Sequence, residues 1–250
     1  MSRLAEVVAR RKFVLGTVIS STSTLLTEAI SVSEMDFVFI DMEHAPIDNE
    51  LALAMTQSVR GRCLSLIRTA DAGVTAVKQA LDIGCDGIVV PQVNSADIAR
   101  AVAAAAKYPP LGQRGVGLAR AHEYGKRFGE YLSRANEEIA VLVQIEHIDA
   151  VKDVENICRV PGIDGIFIGP YDLSASLGKP GQVTDPEVAQ AVAKAIEVGK
   201  KEGMIIGAFA ANDGAASAFV AQGVGVVTVG TDLARMVADC DRTVAALRGT

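Results

Sequence analysis

Short runs rich in β-branched and other apolar residues recur along the chain. They lie at residues 13–20 (FVLGTVIS), 36–43 (DFVFIDME), 64–69 (LSLIRT), 87–93 (GIVVPQV), 139–146 (IAVLVQIE), 165–170 (GIFIGP), 205–210 (IIGAFA) and 224–230 (VGVVTVG). The runs are nearly continuous in apolar character and do not alternate with polar residues. That is the signature of parallel strands covered on both faces. Between them lie segments of helical pattern with readable starts and stops. Asp185-Pro186 offers an N-cap and a first-turn proline, and Gly203 a stop. Asn94-Ser95 opens another helix, which Pro109-Pro110 closes. The final segment, 231–250, sets Leu233, Met236, Val237, Cys240, Val244 and Leu247 on one helical face.

Eight such runs in 250 residues predict a single (β/α)8 barrel spanning 1–250, since that fold takes ~250 residues. A doubly wound sheet is the alternative, but no glycine-rich phosphate fingerprint follows the first strand. Two connections are long, 108–138 and 171–183, and long loops in compact domains are usually functional.

Composition changes this picture mainly by exclusion. Half the residues are apolar, enough for a substantial core. A net charge of −6, no Trp and 4% aromatics speak against nucleic acid or an anionic membrane surface as a main partner. Cys63, Cys85, Cys158 and Cys240 stand singly, with no metal-ligand or disulfide spacing, which points to a reducing cytoplasm. Residues 1–13 are charged and lack the apolar core of a secretory signal. No stretch approaches the ~20 apolar residues of a membrane span.

In a barrel the chemistry sits at the C-terminal ends of the strands. The second run ends in Asp41-Met42-Glu43-His44, the third in Arg68, the fourth in Pro91-Gln92, the fifth in Gln144-Ile145-Glu146-His147, and the sixth in Gly169-Pro170-Tyr171-Asp172. Glu146 and Asp172 are hard-oxygen ligands on adjacent strand ends and suit Mg²⁺ or Mn²⁺; Asp172 capping the next helix is the competing reading. Arg68 either stabilises an enolate or pairs structurally with Glu43 or Glu146. His44 reads as a general base with Asp41 and Glu43 nearby, or as a loop cap. His147 reads as a surface or capping residue. His122 reads as structural, with contact to substrate the lesser alternative. Glycine at 169 lets backbone approach a ligand closely. Residues 114–120 (RGVGLAR) follow a helix, so they are not a dinucleotide loop; a basic loop over the mouth and an interface loop are equal readings. No lysine falls inside a predicted strand, so carbonyl chemistry would rest on a metal and not on an imine.

The segments FVFIDMEHAP, LDIGCDGIVVPQV, YPPLGQRGVGLARA, VLVQIE and GIDGIFIGPYDLSASLG closely resemble the HpcH/HpaI aldolase family of the phosphoenolpyruvate/pyruvate barrel superfamily, in the family's order over nearly the whole chain. The resemblance implies a class II aldolase that cleaves a 4-hydroxy-2-oxo acid to pyruvate and an aldehyde through a pyruvate enolate. It implies a divalent metal (Mg²⁺, Mn²⁺ or Co²⁺) on Glu146 and Asp172, and Arg68 as enolate stabiliser. His44 would belong to the acid/base machinery, with Asp41 and Asp82 tuning it or its water. Gln144 would lie beside the metal, and Gly169, Tyr171 and Asp172 around the substrate. It also implies exchange of the last helix between subunits and a homo-hexamer, a trimer of dimers. A citryl/malyl-CoA lyase, an oxaloacetate decarboxylase and a non-enzymatic metabolite-binding barrel are the other readings. The loop after Gly117 is about two residues shorter than in heptanedioate-type enzymes, and Tyr171 and His147 depart from them, so the acceptor aldehyde stays open.

Overall fold

The computed structural model describes residues 1–249. Eight strands, β1 (Val14–Ile19), β2 (Phe37–Asp41), β3 (Leu64–Arg68), β4 (Gly87–Val90), β5 (Ala140–Ile145), β6 (Gly165–Ile168), β7 (Ile205–Ala210) and β8 (Val226–Thr231), pair in sequence order. All pairs are parallel, and β8 returns to β1 to close a barrel. The helices are α1 (Arg3–Arg11), α2 (Thr24–Ser31), α3 (Asn49–Val59), α4 (Val74–Asp82), α5 (Ala96–Ala106) and α6 (Phe128–Glu138). They continue with α7 (Ile148–Lys152), α8 (Val154–Cys158), α9 (Pro170–Ser176), α10 (Pro186–Lys201), α11 (Asp213–Ala221) and α12 (Asp232–Arg248). The predicted caps are in place: Ser95 accepts from Ile98 N–H, and Asp185 accepts from Glu187 N–H ahead of Pro186.

The apolar residues divide into two cores. The larger lies between strands and helices. The smaller fills the barrel and includes Val14, Phe37, Phe39, Leu64, Leu66, Leu142 and Phe167. Leu4 of α1 is fully buried in it and plugs the N-terminal end. Two glycines make room for the interior rings. A Cβ on Gly16 would meet the Phe37 ring at 2.5 Å, and one on Gly207 the Phe167 ring at 2.4 Å.

The period of two along a strand carries this interior face upward into the chemistry. Phe37 and Phe39 lead to Asp41; Leu64 and Leu66 lead to Arg68; Ala140 and Leu142 lead to Gln144. The register sets Asp41 directly beside Arg68.

Connection 108–138 departs from expectation. It follows α5, which has already returned to the N-terminal end, so the loop lies under the barrel and does not cover the mouth. There Arg120 donates to Ile83 O at 2.8 Å, and Arg114 donates to Asp82 at 2.8 Å. The Arg114 guanidinium lies 4.6 Å from the Tyr108 ring centroid and 5.7 Å from that of Tyr131. The end of the connection is helical, forming α6. α12 stands off the barrel with its apolar stripe uncovered: Met236 is 54% exposed, Val237 58% and Leu247 84%. Among the described residues no helix is long and apolar enough to cross a membrane.

Candidate active site

The polar rim assembles around Arg68. Its Nε donates to Asp41 Oδ1 at 2.9 Å and its Nη2 to Asp41 Oδ2 at 2.7 Å, a bidentate pair. Its Nη1 lies 3.2 Å from Glu43 Oε2. Asp41 is buried and also accepts the backbone N–H groups of Glu43 and His44. Burial alone would raise its pKa, but the guanidinium and these N–H donors outweigh burial and hold it below 3.8. Glu43 goes the other way. Burial raises it, Arg68 opposes, and the charge of Glu146 adds to the rise.

Glu146 continues the interior face one step past β5 and is buried. Its Oε1 accepts the Gln92 N–H at 2.6 Å, and its Oε2 is held by the Gln144 amide. Burial is the main cause of its raised pKa, and the nearby Asp172 carboxylate reinforces it. Asp172, in the first turn of α9, borders the same polar pocket as Glu146, Glu43, Gln92 and His44. Gly169 permits this packing: a Cβ there would sit 3.1 Å from Glu146 Cβ and 3.2 Å from its Oε2.

The donor set fits a divalent cation. Four carboxylates, Asp41, Glu43, Glu146 and Asp172, surround one guanidinium. Three buried acceptor atoms here lack a hydrogen-bond donor: Glu43 Oε2, Asn94 Oδ1 and Gln144 Oε1. Acceptors in excess of donors are what a hard cation satisfies. Among the described residues no group of three or more His, Cys, Asp or Glu is placed to hold a metal ion together. A pair such as Glu146 and Asp172 leaves coordination positions for water and substrate.

His44 lies on the rim with its side chain 58% exposed, its Nε2 3.7 Å from Glu43 Oε2. Its ring therefore faces Glu43; Asp41 holds only its backbone N–H. Asp41 thus has no direct contact with the imidazole. Asp82 does not join the rim of its own subunit. As the last residue of α4 it sits at the opposite end of the barrel, bonded to Arg114, and does not reach this chain's own rim. His122 is buried in the loop under the barrel, its Nε2 2.7 Å from Gly117 O and its Nδ1 accepting Gly125 N–H. His147 caps α7 through its Nδ1. Lys107, the buried lysine, donates to Asn136 O, Ile139 O and Asp164 at the N-terminal end, away from the rim.

Gln92 enters the site without an assigned role in the sequence, and Glu43, read there only as a neighbour of Arg68 and His44, enters with it. Gln92 holds a left-handed backbone (φ 58°), directs its N–H at Glu146, and donates through its side chain to Glu43 Oε1 at 3.3 Å. Such a conformation in a non-glycine residue costs energy and persists where the surroundings impose it. Glu43 joins Arg68, Gln92 and His44. Only their positions at strand ends signalled either residue. The mouth itself is a cavity of about 340 Å³ that Asp41, His44, Arg68, Gln144, Tyr171 and Asp172 all border.

Residues 15–238 match the HpcH/HpaI aldolase/citrate lyase family model. The chain is 41% identical over 207 residues to a 4-hydroxy-2-oxovalerate aldolase of Rhodococcus jostii (strain RHA1), covering 82% of this chain and 80% of the relative. It is 38% identical over 230 residues to a 2-keto-3-deoxy-L-rhamnonate aldolase of Salmonella typhi, covering 91% and 86%. The crystal structure of an HpcH/HpaI aldolase/citrate lyase family protein from Burkholderia cenocepacia J2315 superposes with a TM-score of 0.94 at 30% identity, over 99% of this chain and all of that one.

Proposed function

Because this chain belongs to the HpcH/HpaI aldolase/citrate lyase family, we propose that its rim cleaves a 4-hydroxy-2-oxo acid with Glu146 and Asp172 holding a divalent metal. The chain is a carbon–carbon lyase, and its relatives are class II pyruvate aldolases. The observation that carries the site assignment is the pairing of acidic excess with one directional guanidinium. A bound divalent ion supplies Lewis acidity at the 2-oxo group.

The chain's own residues supply the rest. Arg68 has five N–H bonds; Asp41 takes two, and Glu43 lies beside Nη1 as an ion-pair partner without a hydrogen bond. The remaining N–H bonds on Nη1 and Nη2 are free to meet the oxygen on which charge grows as the enolate forms. Gln144, fixed against Glu146, lines the mouth. The amides of Tyr171 and Asp172 open α9 behind Gly169 and Pro170 and suit the substrate carboxylate. His44 takes the proton of the 4-hydroxyl, directly or through water. The C3–C4 bond then breaks, its electron pair remains on the pyruvate fragment as enolate, and the aldehyde departs. Protonation at C3 gives pyruvate.

The exposed apolar face of α12 supports a homo-oligomer in which this helix packs on a neighbouring subunit.

Chelation should abolish pyruvate release from 4-hydroxy-2-oxo acids, and Mg²⁺, Mn²⁺ or Co²⁺ should restore it. Glu146→Gln should lose the rise in Tm that the ion gives the wild type while keeping its far-UV spectrum. A lysine adduct trapped by borohydride with pyruvate would overturn the metal assignment.

A further inference from the structure

The mouth of the barrel is asymmetric. Its β2–β6 side carries Asp41, Glu43, Arg68, Gln144, Glu146 and Asp172. Its β7–β8–β1 side does not continue this chemistry. There the cavity is bounded by Val18, Phe209 and Tyr171, over a floor made by the Phe39 and Phe167 rings, whose centroids are 5.2 Å apart. Tyr171 and Phe209 meet edge to face at 5.9 Å and separate the cavity from an apolar groove of about 640 Å³ beyond them.

Besides the Tyr171 phenol, three hydroxyls line this side, and the fold engages each of these three. Ser20 Oγ donates to Asp232 Oδ1 at 2.7 Å, Thr228 Oγ1 donates to Ala208 O at 3.3 Å, and Thr231 Oγ1 accepts Ala234 N–H as the cap of α12. Two of the three protons are therefore spent on the protein. Arg68 is the only cation lining the cavity among the described residues, and its charge already faces Asp41 and Glu43. A carboxylate on this side would lose water and find no counter-charge, which is costly. A polyhydroxylated chain would lose several hydrogen bonds to water and recover few. An alkyl group loses nothing and gains contact with the rings.

We propose that the aldehyde half of the substrate is an uncharged, alkyl-bearing aldehyde seated against Val18, Tyr171 and Phe209. This rests on the aldolase reading, since it assigns the second half of the same site. Tyr171 and Phe209 act as specificity-determining residues and close the alkyl end of the pocket.

The test is aldol condensation of pyruvate with a matched set of aldehydes, using enzyme supplied with Mn²⁺. Butanal, succinic semialdehyde and glyceraldehyde separate alkyl, anionic and hydroxylated chains of similar length. Pyruvate methyl-proton exchange is followed by NMR on the same enzyme. Butanal should exceed each of the others in kcat/KM by at least about tenfold. Phe209→Lys, which puts a cation on this side, should shift the ratio toward succinic semialdehyde. Should that variant fail to fold, the wild-type ratios decide alone. Succinic semialdehyde or glyceraldehyde equal to or better than butanal, with exchange intact, overturns this inference and leaves the aldolase reading standing. Absence of both exchange and condensation overturns the two together.

Discussion

Arg68→Lys isolates what the guanidinium fork contributes beyond its charge. Arginine at this position engages Asp41 twice and Glu43 once, and keeps N–H bonds for the mouth. A lysine retains one positive charge but only three donors around a single nitrogen. It can reach Asp41 once and Glu43 once, so one charge-assisted hydrogen bond is lost, about 1.5–3 kcal/mol of stability. Asp41 keeps its two backbone donors, which limits the damage. The catalytic loss is separate. With both carboxylates served, little is left to meet a developing enolate oxygen, and losing one such donor costs roughly 10²–10³ in turnover. Arg68→Ala is a cruder test because it strands two buried carboxylates, a lesion of about 3–5 kcal/mol. The assay is pyruvate methyl-proton exchange with saturating divalent ion, alongside chemical unfolding of the same variants. Arg68→Lys should fold, lose stability modestly and exchange far more slowly. If it exchanges at the wild-type rate while its stability drops, Arg68 is a structural counter-ion for Asp41 and Glu43, and the enolate role fails.

Two further outcomes follow from the same geometry. Because Asp41 is held below its ordinary pKa of 3.8, its contribution to stability is complete above that value and lost as pH falls through the lower folded value. The unfolding free-energy difference between wild type and Asp41→Asn should therefore be flat from neutrality to about pH 4 and shrink below it; growth of the difference on acidification would refute the ion-pair account. If α12 packs on a neighbouring subunit as proposed, replacing Met236 and Val237 together by Glu should lower the sedimentation coefficient in sedimentation velocity, since the pair lies on the uncovered face of that helix; an unchanged coefficient would refute that packing.

Much of this site is legible in the sequence because the barrel interior obeys a simple rule. A strand covered on both faces reads as unbroken apolar residues, so a charge at its end has no covering role and stands out. Arg68 after LSLI and Glu146 after VLVQI are of this kind. The same rule picks Asp41 but does not say what its carboxylate meets. The register sets it beside Arg68, and the hydrogen bonds add the backbone N–H of His44. Gln92 draws its role from a backbone twist, which no side-chain pattern encodes. Asp82 and residues 114–120 were legible in principle. Asp82 ends a helix and residues 114–120 follow one, and chain direction alone sends both to the N-terminal end. Length made the 108–138 connection look functional, while direction put it under the barrel.

The charge arrangement also explains why a guanidinium alone does not complete the rim. Two opposite charges 4 Å apart near a protein surface attract by about 4 kcal/mol, and two like charges repel equally. Arg68 spends much of its attraction on Asp41 and Glu43, which lie 2.7 and 3.2 Å from its nitrogens. Glu146 and Asp172 then face an arriving 2-oxo acid; Arg68 favours the charge of Glu146 less than burial, which has already raised the cost of ionising it, opposes it. A site of this kind repels its own anionic substrate until positive charge is added between the two carboxylates and the substrate. In the proposed function that charge comes from the divalent ion on Glu146 and Asp172, while Arg68, neutralised on two sides, acts through the direction of its free N–H bonds. The two cationic roles are thereby divided: attraction belongs to the ion, and recognition of the growing enolate charge belongs to Arg68.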